Sequence, residues 1–165
     1  MLKYTREYTC VPRQIRYCQS CEWYRTSFLP DSVHVFLLTD ENKIRLTIEY
    51  PLGTREKKEK IPSGLVNENE TPIEAAKREL KEELGLDAKI WEYFLAQEST
   101  GALNDTRHYF IAKELIQVTQ ETDGEVLDTK DYTLNELYEK AMKGQFSSAT
   151  QAAIARLRHA QVIEN

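Results

Sequence analysis

The stretch GLVNENETPIEAAKRELKEELGL, residues 64–86, contains the best-marked helix in this sequence. Thr71 stands three residues before Glu74, which is the spacing of a capping box, and Pro72 fits the first helical turn. Gly85 can end the helix in the left-handed conformation that glycine adopts without strain. We therefore predict a helix over residues 72–84.

This helix carries a dense cluster of acidic side chains. Its apolar side chains share one face of a helical wheel and predict the core contact: Ile73, Ala76, Leu80 and Leu84. Glu79 and Glu83 lie four residues apart on a neighbouring face, with Glu82 beside them. Such close carboxylates raise one another's pKa unless a counter-charge is present, and a divalent cation supplies one. Oxygen ligands of this kind suit magnesium or manganese. The alternative is a solvated acidic helix face, which is common in soluble proteins.

Arg78 precedes Glu82 by four residues, so the two side chains can form an ion pair along the helix. The cation comes first, however, and that order stabilises a helix less than the reverse. Helix support is therefore an incomplete reason for this arginine. We predict instead that Arg78 orients a metal-ligating carboxylate.

The composition is typical of a globular domain. The chain has 165 residues, 41% hydrophobic and 30% charged, which fits one domain over residues 1–165. Its net charge of −5 disfavours binding to nucleic acid and favours a small anionic ligand held through metal ions. No apolar run is long enough to cross a membrane, and the first residues lack the apolar stretch of a signal peptide. We therefore expect a cytoplasmic protein with no membrane partner.

The three cysteines of the sequence are Cys10, Cys18 and Cys21. The CQSC pair has the spacing of a zinc knuckle or a redox site. A closed zinc site needs four ligands, and no second pair of this kind exists. Cys10 and His34 would complete one only if the fold brought them together. Ordinary reduced thiols are the simpler interpretation.

The other predicted elements indicate helices packed on a sheet. VHVFLL (33–38) and KIRLTIEY (43–50) flank the turn-forming TDEN and predict a hairpin. Further strands are expected within residues 54–62, 88–97 and 107–115, with a loop over residues 118–128. A capping box from Thr133 to Glu136 predicts a second helix that stops near Gly144. A third helix is expected after Ser147-Ser148, over ATQAAIARLRHA, which is rich in helix formers. The fold class is therefore α/β or α+β, with helices on a mixed sheet.

The acidic stretch resembles the signature of the Nudix hydrolases, G-x5-E-x7-R-E-U-x-E-E-x-G-U, where U is a bulky aliphatic residue. Gly64, Glu70, Arg78-Glu79-Leu80, Glu82-Glu83 and Gly85-Leu86 match every defined position. The resemblance implies an α/β/α sandwich around a mixed sheet. It also implies an enzyme that hydrolyses a nucleoside diphosphate linked to another group, with two or more Mg²⁺ or Mn²⁺ ions.

The resemblance assigns a role to each matching position. It implies that Glu79, Glu82 and Glu83 bind the metal ions and that Ser63 contributes its backbone carbonyl. Gly64 would let the loop approach closely. Glu70 and Arg78 would hold the loop and the ligating carboxylates in place.

A second resemblance points to the ADP-ribose and ADP-sugar pyrophosphatases. It rests on EKAMKGQFSSATQAAIARL near the C-terminus, on IEYPLG (48–53) and on STGALNDTRHYFIAKEL (99–115). Two positions differ from that branch, which usually has a proline where this sequence reads Ser99-Thr100-Gly101 and a glutamate at Lys60. The expected substrate is ADP-ribose or another nucleoside diphosphate sugar. The alternatives are nucleoside triphosphates, dinucleoside polyphosphates, or a catalytically silent domain that binds a nucleotide.

The remaining predicted roles concern the base, the substrate contacts and the N-terminus. The general base would be Glu82 or, as in the ADP-ribose branch, an acidic residue of the loop: Glu121, Asp123 or, preferred here, Glu125. Long cationic side chains could contact the diphosphate of the substrate: Arg45, Arg55, Lys57, Lys58 and Arg107. An aromatic side chain could stack on the nucleobase: Tyr50, Phe28 or Tyr24. Residues 1–30 are expected to be an extension that could form a homodimer, by analogy with that branch.

Overall fold

The computed structural model describes residues 16–17, 24–25, 30–50, 55–99, 105–118, 122 and 124–160. The three cysteines, Glu121 and Asp123 lie outside these residues, as does most of the predicted N-terminal extension. Within that extension, β1 (Arg16–Tyr17) and β2 (Tyr24–Arg25) pair antiparallel in a small sheet of their own.

The main sheet has seven strands, and β3 lies at its centre. Its strands are β3 (Ser32–Leu38), β4 (Ile44–Glu49), β5 (Lys58–Lys60), β6 (Ser63–Leu65), β7 (Leu86–Glu98), β8 (Thr106–Gln117) and β9 (Asp128–Tyr132). The order β5-β4-β3-β8-β7 forms the main path, while β6 pairs with β3 and β9 with β4. Among the strand pairs of the described residues, β3–β8 is parallel and the others are antiparallel, so the sheet is mixed as predicted.

The first two helices begin where their capping residues predict, and the third begins at Ser148, one residue earlier than expected. Helix α1 (Pro72–Leu84) has the Thr71–Glu74 capping box and ends at Gly85, whose φ is 63°. Helix α2 (Leu134–Met142) has an equivalent box at Thr133, and α3 (Ser148–His159) is capped by Ser147. Each capping oxygen accepts a bond from a backbone N–H that would otherwise be unsatisfied, which is why these short signals locate the helices well.

Two apolar clusters lie on opposite faces of the sheet. On one face, Val33, Val35 and Leu37 pack against Ala76 and Leu80 of α1. On the other, sheet residues including Phe36 and Leu46 pack against α2 and α3. Alternate residues of a strand point to opposite faces, so β3 contributes to both clusters. The predicted α/β/α sandwich is confirmed. Among the described residues, no helix is both long and apolar enough to cross a membrane.

Strand β9 was not predicted. Its sequence, DTKDY, is polar and lacks the alternation that marks a half-buried strand. It forms because β4 presents a complete edge to it, from Ile44 opposite Tyr132 to Ile48 opposite Asp128. Long-range pairing of this kind leaves no local signal. The predicted loop over residues 118–128 therefore ends one residue earlier, where β9 begins.

Candidate functional site

The acidic side of α1 packs against the short strand β6. A Cβ added to Gly64 would overlap the carboxylate of Glu79. Gly64 itself pairs with Val33, so it lies on the face of the sheet that α1 covers. Its φ is outside the left-handed region, and glycine is needed here for space rather than for backbone conformation. The structure thus supports the predicted close approach at Gly64.

The substitution Gly64→Ala is expected to displace the Glu79 carboxylate, because the side-chain end of Glu79 yields more easily than the sheet does. We expect a loss of about ten-fold in kcat/KM, the scale of a disturbed metal ligand. Ser63→Ala is the matched control, since the predicted contribution of Ser63 is its backbone carbonyl. Steady-state kinetics on both variants checks this. Equal activities of Gly64→Ala and Ser63→Ala would show that catalysis does not depend on the exact position of the Glu79 carboxylate.

Arg78 connects the acidic residues of the loop and helix. Its guanidinium donates to both carboxylate oxygens of Glu70, at 2.8 and 2.9 Å. It also donates to Glu79 Oε1 at 2.6 Å, to Glu82 Oε2 at 3.0 Å and to the carbonyl of Leu65 at 2.9 Å. These bonds raise the pKa of Arg78, the bond to Glu70 most of all. The same bond holds the pKa of Glu70 below its ordinary value.

Arg78 therefore supplies the counter-charge that the acidic helix requires. A planar guanidinium can bond several carboxylates at once in a fixed geometry, which lysine cannot do. The side chain of Glu79 is 16% exposed and that of Glu83 only 5%, whereas Glu82 is 40% exposed. A solvated acidic face would leave all three in water, so this alternative is wrong for Glu79 and Glu83.

Lys60 and Glu49, neither of which the sequence assigned to the site, complete the acidic cluster. Lys60 of β5 lies opposite Thr47 of β4, and its Nζ is 2.7 Å from Glu49 Oε2. The same Nζ is 3.9 Å from Glu83 Oε1, and Thr47 donates a 2.8 Å bond to Glu49 Oε1. Glu49 is 5% exposed. Two features of the sequence could have indicated this cluster. Lys60 replaces the glutamate that is usual in the ADP-ribose branch, and Thr47 and Glu49 are polar residues at alternate positions of the otherwise apolar β4.

Glu125 and Arg55 lie at the surface. Glu125 is exposed in the segment that leads into β9. Arg55 is exposed at the start of the segment that leads into β5. Tyr50 is 53% exposed, with Lys57 Nζ 5.9 Å from its ring centre. The predicted roles of Glu125, Arg55 and Tyr50 stay predictions.

Arg45 and Arg107 each have an acidic partner outside α1. Arg45 forms a two-point ion pair with Asp131 of β9, with both N–O distances at 2.8 Å, so its guanidinium is already engaged. Arg107 lies two residues before Tyr109 on β8, so both side chains point to the face of the sheet that α2 and α3 cover. The guanidinium of Arg107 is 3.6 Å from the carboxylate of Asp105. Both arginine side chains are about one third exposed, and their predicted substrate contacts stay predictions.

A family comparison matches residues 28–152 to the NUDIX domain. The chain belongs to the NUDIX family. The match includes the whole of the signature, from Gly64 to Leu86, and both short strands that bring Lys60 and Ser63 to α1. The chain is therefore a Nudix hydrolase, as its sequence predicted.

Similar proteins support the Nudix assignment. The chain is 32% identical over 111 residues to the ADP-ribose pyrophosphatase of Bacillus subtilis (strain 168), covering 65% of this chain and 60% of that protein. It is 26% identical over 141 residues to the methanol dehydrogenase activator of Bacillus methanolicus, covering 82% and 76%. The crystal structure of an ADP compounds hydrolase superposes with a TM-score of 0.71 at 23% identity, covering 83% and 76%, and this shows the fold.

Nudix hydrolases generally use divalent metal ions, and the acidic residues of this chain fit that requirement in their chemistry. Glu79, Glu82 and Glu83 offer only carboxylate oxygens, the ligands that Mg²⁺ and Mn²⁺ prefer. As they stand, no three Asp, Glu, His or Cys side chains in the described part of the chain are gathered closely enough to hold a metal. Arg78 and Lys60 instead lie against these carboxylates.

Proposed function

We propose that this Nudix hydrolase cleaves the diphosphate bond of ADP-ribose or another nucleoside diphosphate sugar. The products are a nucleoside monophosphate and a sugar phosphate. The observation that carries the proposal is the arrangement on α1, where Arg78 bonds Glu79 and Glu82 while Glu83 is buried beside β5. The similarity to an ADP-ribose pyrophosphatase supports the choice of substrate class.

The proposed metal ligands are Glu79, Glu82, Glu83 and the backbone carbonyl of Ser63. When bound, two or more divalent ions would neutralise the phosphate charge and lower the pKa of a water molecule. The role of Arg78 is to hold Glu79 and Glu82 at fixed positions, so that little reorganisation is needed when the substrate arrives. Gly64 allows Glu79 to lie directly on β6.

The reaction transfers one phosphoryl group to water. The oxygen of the attacking water bonds to one phosphorus of the diphosphate, and the bond from that phosphorus to the bridging oxygen breaks. The bridging oxygen leaves with the other product, and the proton of the water passes to a carboxylate. We propose Glu125 as that carboxylate, with Glu82 as the second candidate. Glu125 is exposed, and the branch that this sequence resembles often takes its base from the same loop.

A substrate panel tests the proposal. ADP-ribose, other nucleoside diphosphate sugars, NADH, dinucleoside polyphosphates and nucleoside triphosphates are each offered with Mg²⁺ and with Mn²⁺, and products are separated by chromatography. We expect AMP and ribose 5-phosphate from ADP-ribose, and full loss of turnover with EDTA. If nucleoside triphosphates or dinucleoside polyphosphates were turned over faster than the nucleoside diphosphate sugars, the proposed substrate class would be wrong. No turnover of any compound would favour a silent nucleotide-binding domain.

A further inference from the structure

Lys60 lies between two buried carboxylates that belong to different elements of the fold. Its Nζ is 2.7 Å from Glu49 Oε2 on β4 and 3.9 Å from Glu83 Oε1 on α1. The side chains of Glu49 and Glu83 are 7% and 5% exposed, whereas that of Lys60 is 35% exposed. The ammonium therefore enters the cluster from the solvent side.

The ammonium of Lys60 compensates a charge imbalance. Two buried carboxylates without cations would be strongly unfavourable, because burial removes the water that stabilises them. The hydroxyl of Thr47 donates to Glu49 Oε1 but carries no charge. A lysine side chain is a cation at neutral pH, and the Lys60 ammonium lies within 4 Å of both carboxylates.

We infer that Lys60 is a tethered cation that neutralises Glu49 and Glu83 in the metal-free protein and competes with divalent metal for Glu83. This rests on the proposed function only in taking Glu83 as a metal ligand. When a divalent ion binds Glu83, the Lys60 ammonium leaves that carboxylate, because two cations repel each other at such a distance. The long, flexible stem of lysine permits that movement without a change in the backbone.

The competition has two consequences for the enzyme. The acidic cluster remains folded without metal, since Glu49 and Glu83 always have a positive partner. Metal binds less tightly than it would to the same carboxylates without the lysine, because part of the binding free energy displaces the ammonium. Lys60 would thereby set the metal concentration at which the site fills.

Metal affinity tests the inference directly. Mn²⁺ binding to the full chain is titrated by the electron paramagnetic resonance signal of unbound Mn²⁺, for the wild type, Lys60→Met and Lys81→Met. Lys81 is the matched control, because its side chain is also 35% exposed and also forms an ion pair, 3.1 Å from Asp87. We expect Lys60→Met to bind Mn²⁺ about ten-fold more tightly, which equals about 1.4 kcal/mol. Lys81→Met should bind like the wild type.

An Mn²⁺ affinity of Lys60→Met within two-fold of the wild type would overturn the inference. Failure of both proteins to bind Mn²⁺ would overturn it as well. Circular dichroism confirms that the variant is folded, and Lys60→Gln, which keeps a hydrogen-bond donor for Glu49, replaces it if it is not. These outcomes do not depend on catalysis. If the proteins showed the expected Mn²⁺ affinities but hydrolysed no substrate, the proposed function would be wrong and the inference about Lys60 would stand.

A second measurement uses the wild-type protein and therefore avoids any folding defect. Lysines are acetylated briefly with acetic anhydride, with and without Mg²⁺, and the modified peptides are quantified by mass spectrometry. If Mg²⁺ displaces Lys60 towards solvent, its acetylation should rise several-fold while that of Lys81 stays constant. An unchanged or reduced rate at Lys60, under conditions in which Mn²⁺ titration shows metal binding, would contradict the displacement.

Discussion

Replacing Glu83 by glutamine is expected to lower kcat/KM by about 10²–10³, the scale on which a preorganised electrostatic contact to a transition state contributes. Glutamine has nearly the same size and keeps one oxygen, but it removes the negative charge that the proposed site requires. Glu83 is the most buried of the three helix glutamates, at 5% exposed, so no water-filled space lets a neighbour replace it. Steady-state kinetics with Mg²⁺ on the best substrate of the panel measures the effect.

The fold of Glu83→Gln should remain intact. Lys60 keeps its 2.7 Å contact with Glu49, so no buried charge is left without a partner. Glu68→Gln is the matched control, because Glu68 is exposed in the loop before α1 and lies outside the defined signature positions. We expect the control to be as active as the wild type. Wild-type activity of Glu83→Gln would show that the metal ligands are assigned wrongly.

Replacing Arg78 by methionine is expected to affect both stability and activity. The change removes five hydrogen bonds from one guanidinium to Glu70, Glu79, Glu82 and the Leu65 carbonyl. We expect the free energy of unfolding to fall by about 1–3 kcal/mol, less than for a fully buried network because solvent screens the partly exposed carboxylates. We expect kcat/KM to fall by about 10–100-fold, since the ligating carboxylates lose their orientation.

Two further variants separate the charge of Arg78 from its geometry. Arg78→Lys keeps the charge but not the planar fork, and it should recover part of the stability and little of the activity. Arg158→Met is the control, because Arg158 also has a defined contact, 4.1 Å from the Tyr138 ring, but lies on α3. Urea unfolding and kinetics are measured for each variant. Full activity of Arg78→Lys would mean that a positive charge alone suffices.

The strongest sequence predictions rest on residues close together in the chain. The capping boxes at Thr71 and Thr133 and the end of α1 at Gly85 involve partners three to five residues apart. The spacing of Glu79, Glu82 and Glu83 likewise places them on adjoining positions of one helix. Such contacts follow from the helix itself, so the sequence alone determined the three helices, the acidic face and the Nudix family of this protein.

Only the tertiary structure decided which distant residues meet those glutamates. Lys60 reaches Glu83 because β5 pairs with β4 and α1 covers the same face, and Glu49 meets Lys60 through that pairing. Arg45 forms an ion pair with Asp131, which lies opposite it on β9, a strand that has no local sequence signature. These partners are set by strand register and by packing between layers. The sequence therefore marks Lys60 as an unusual residue, but only the structure shows that it lies beside Glu49 and Glu83.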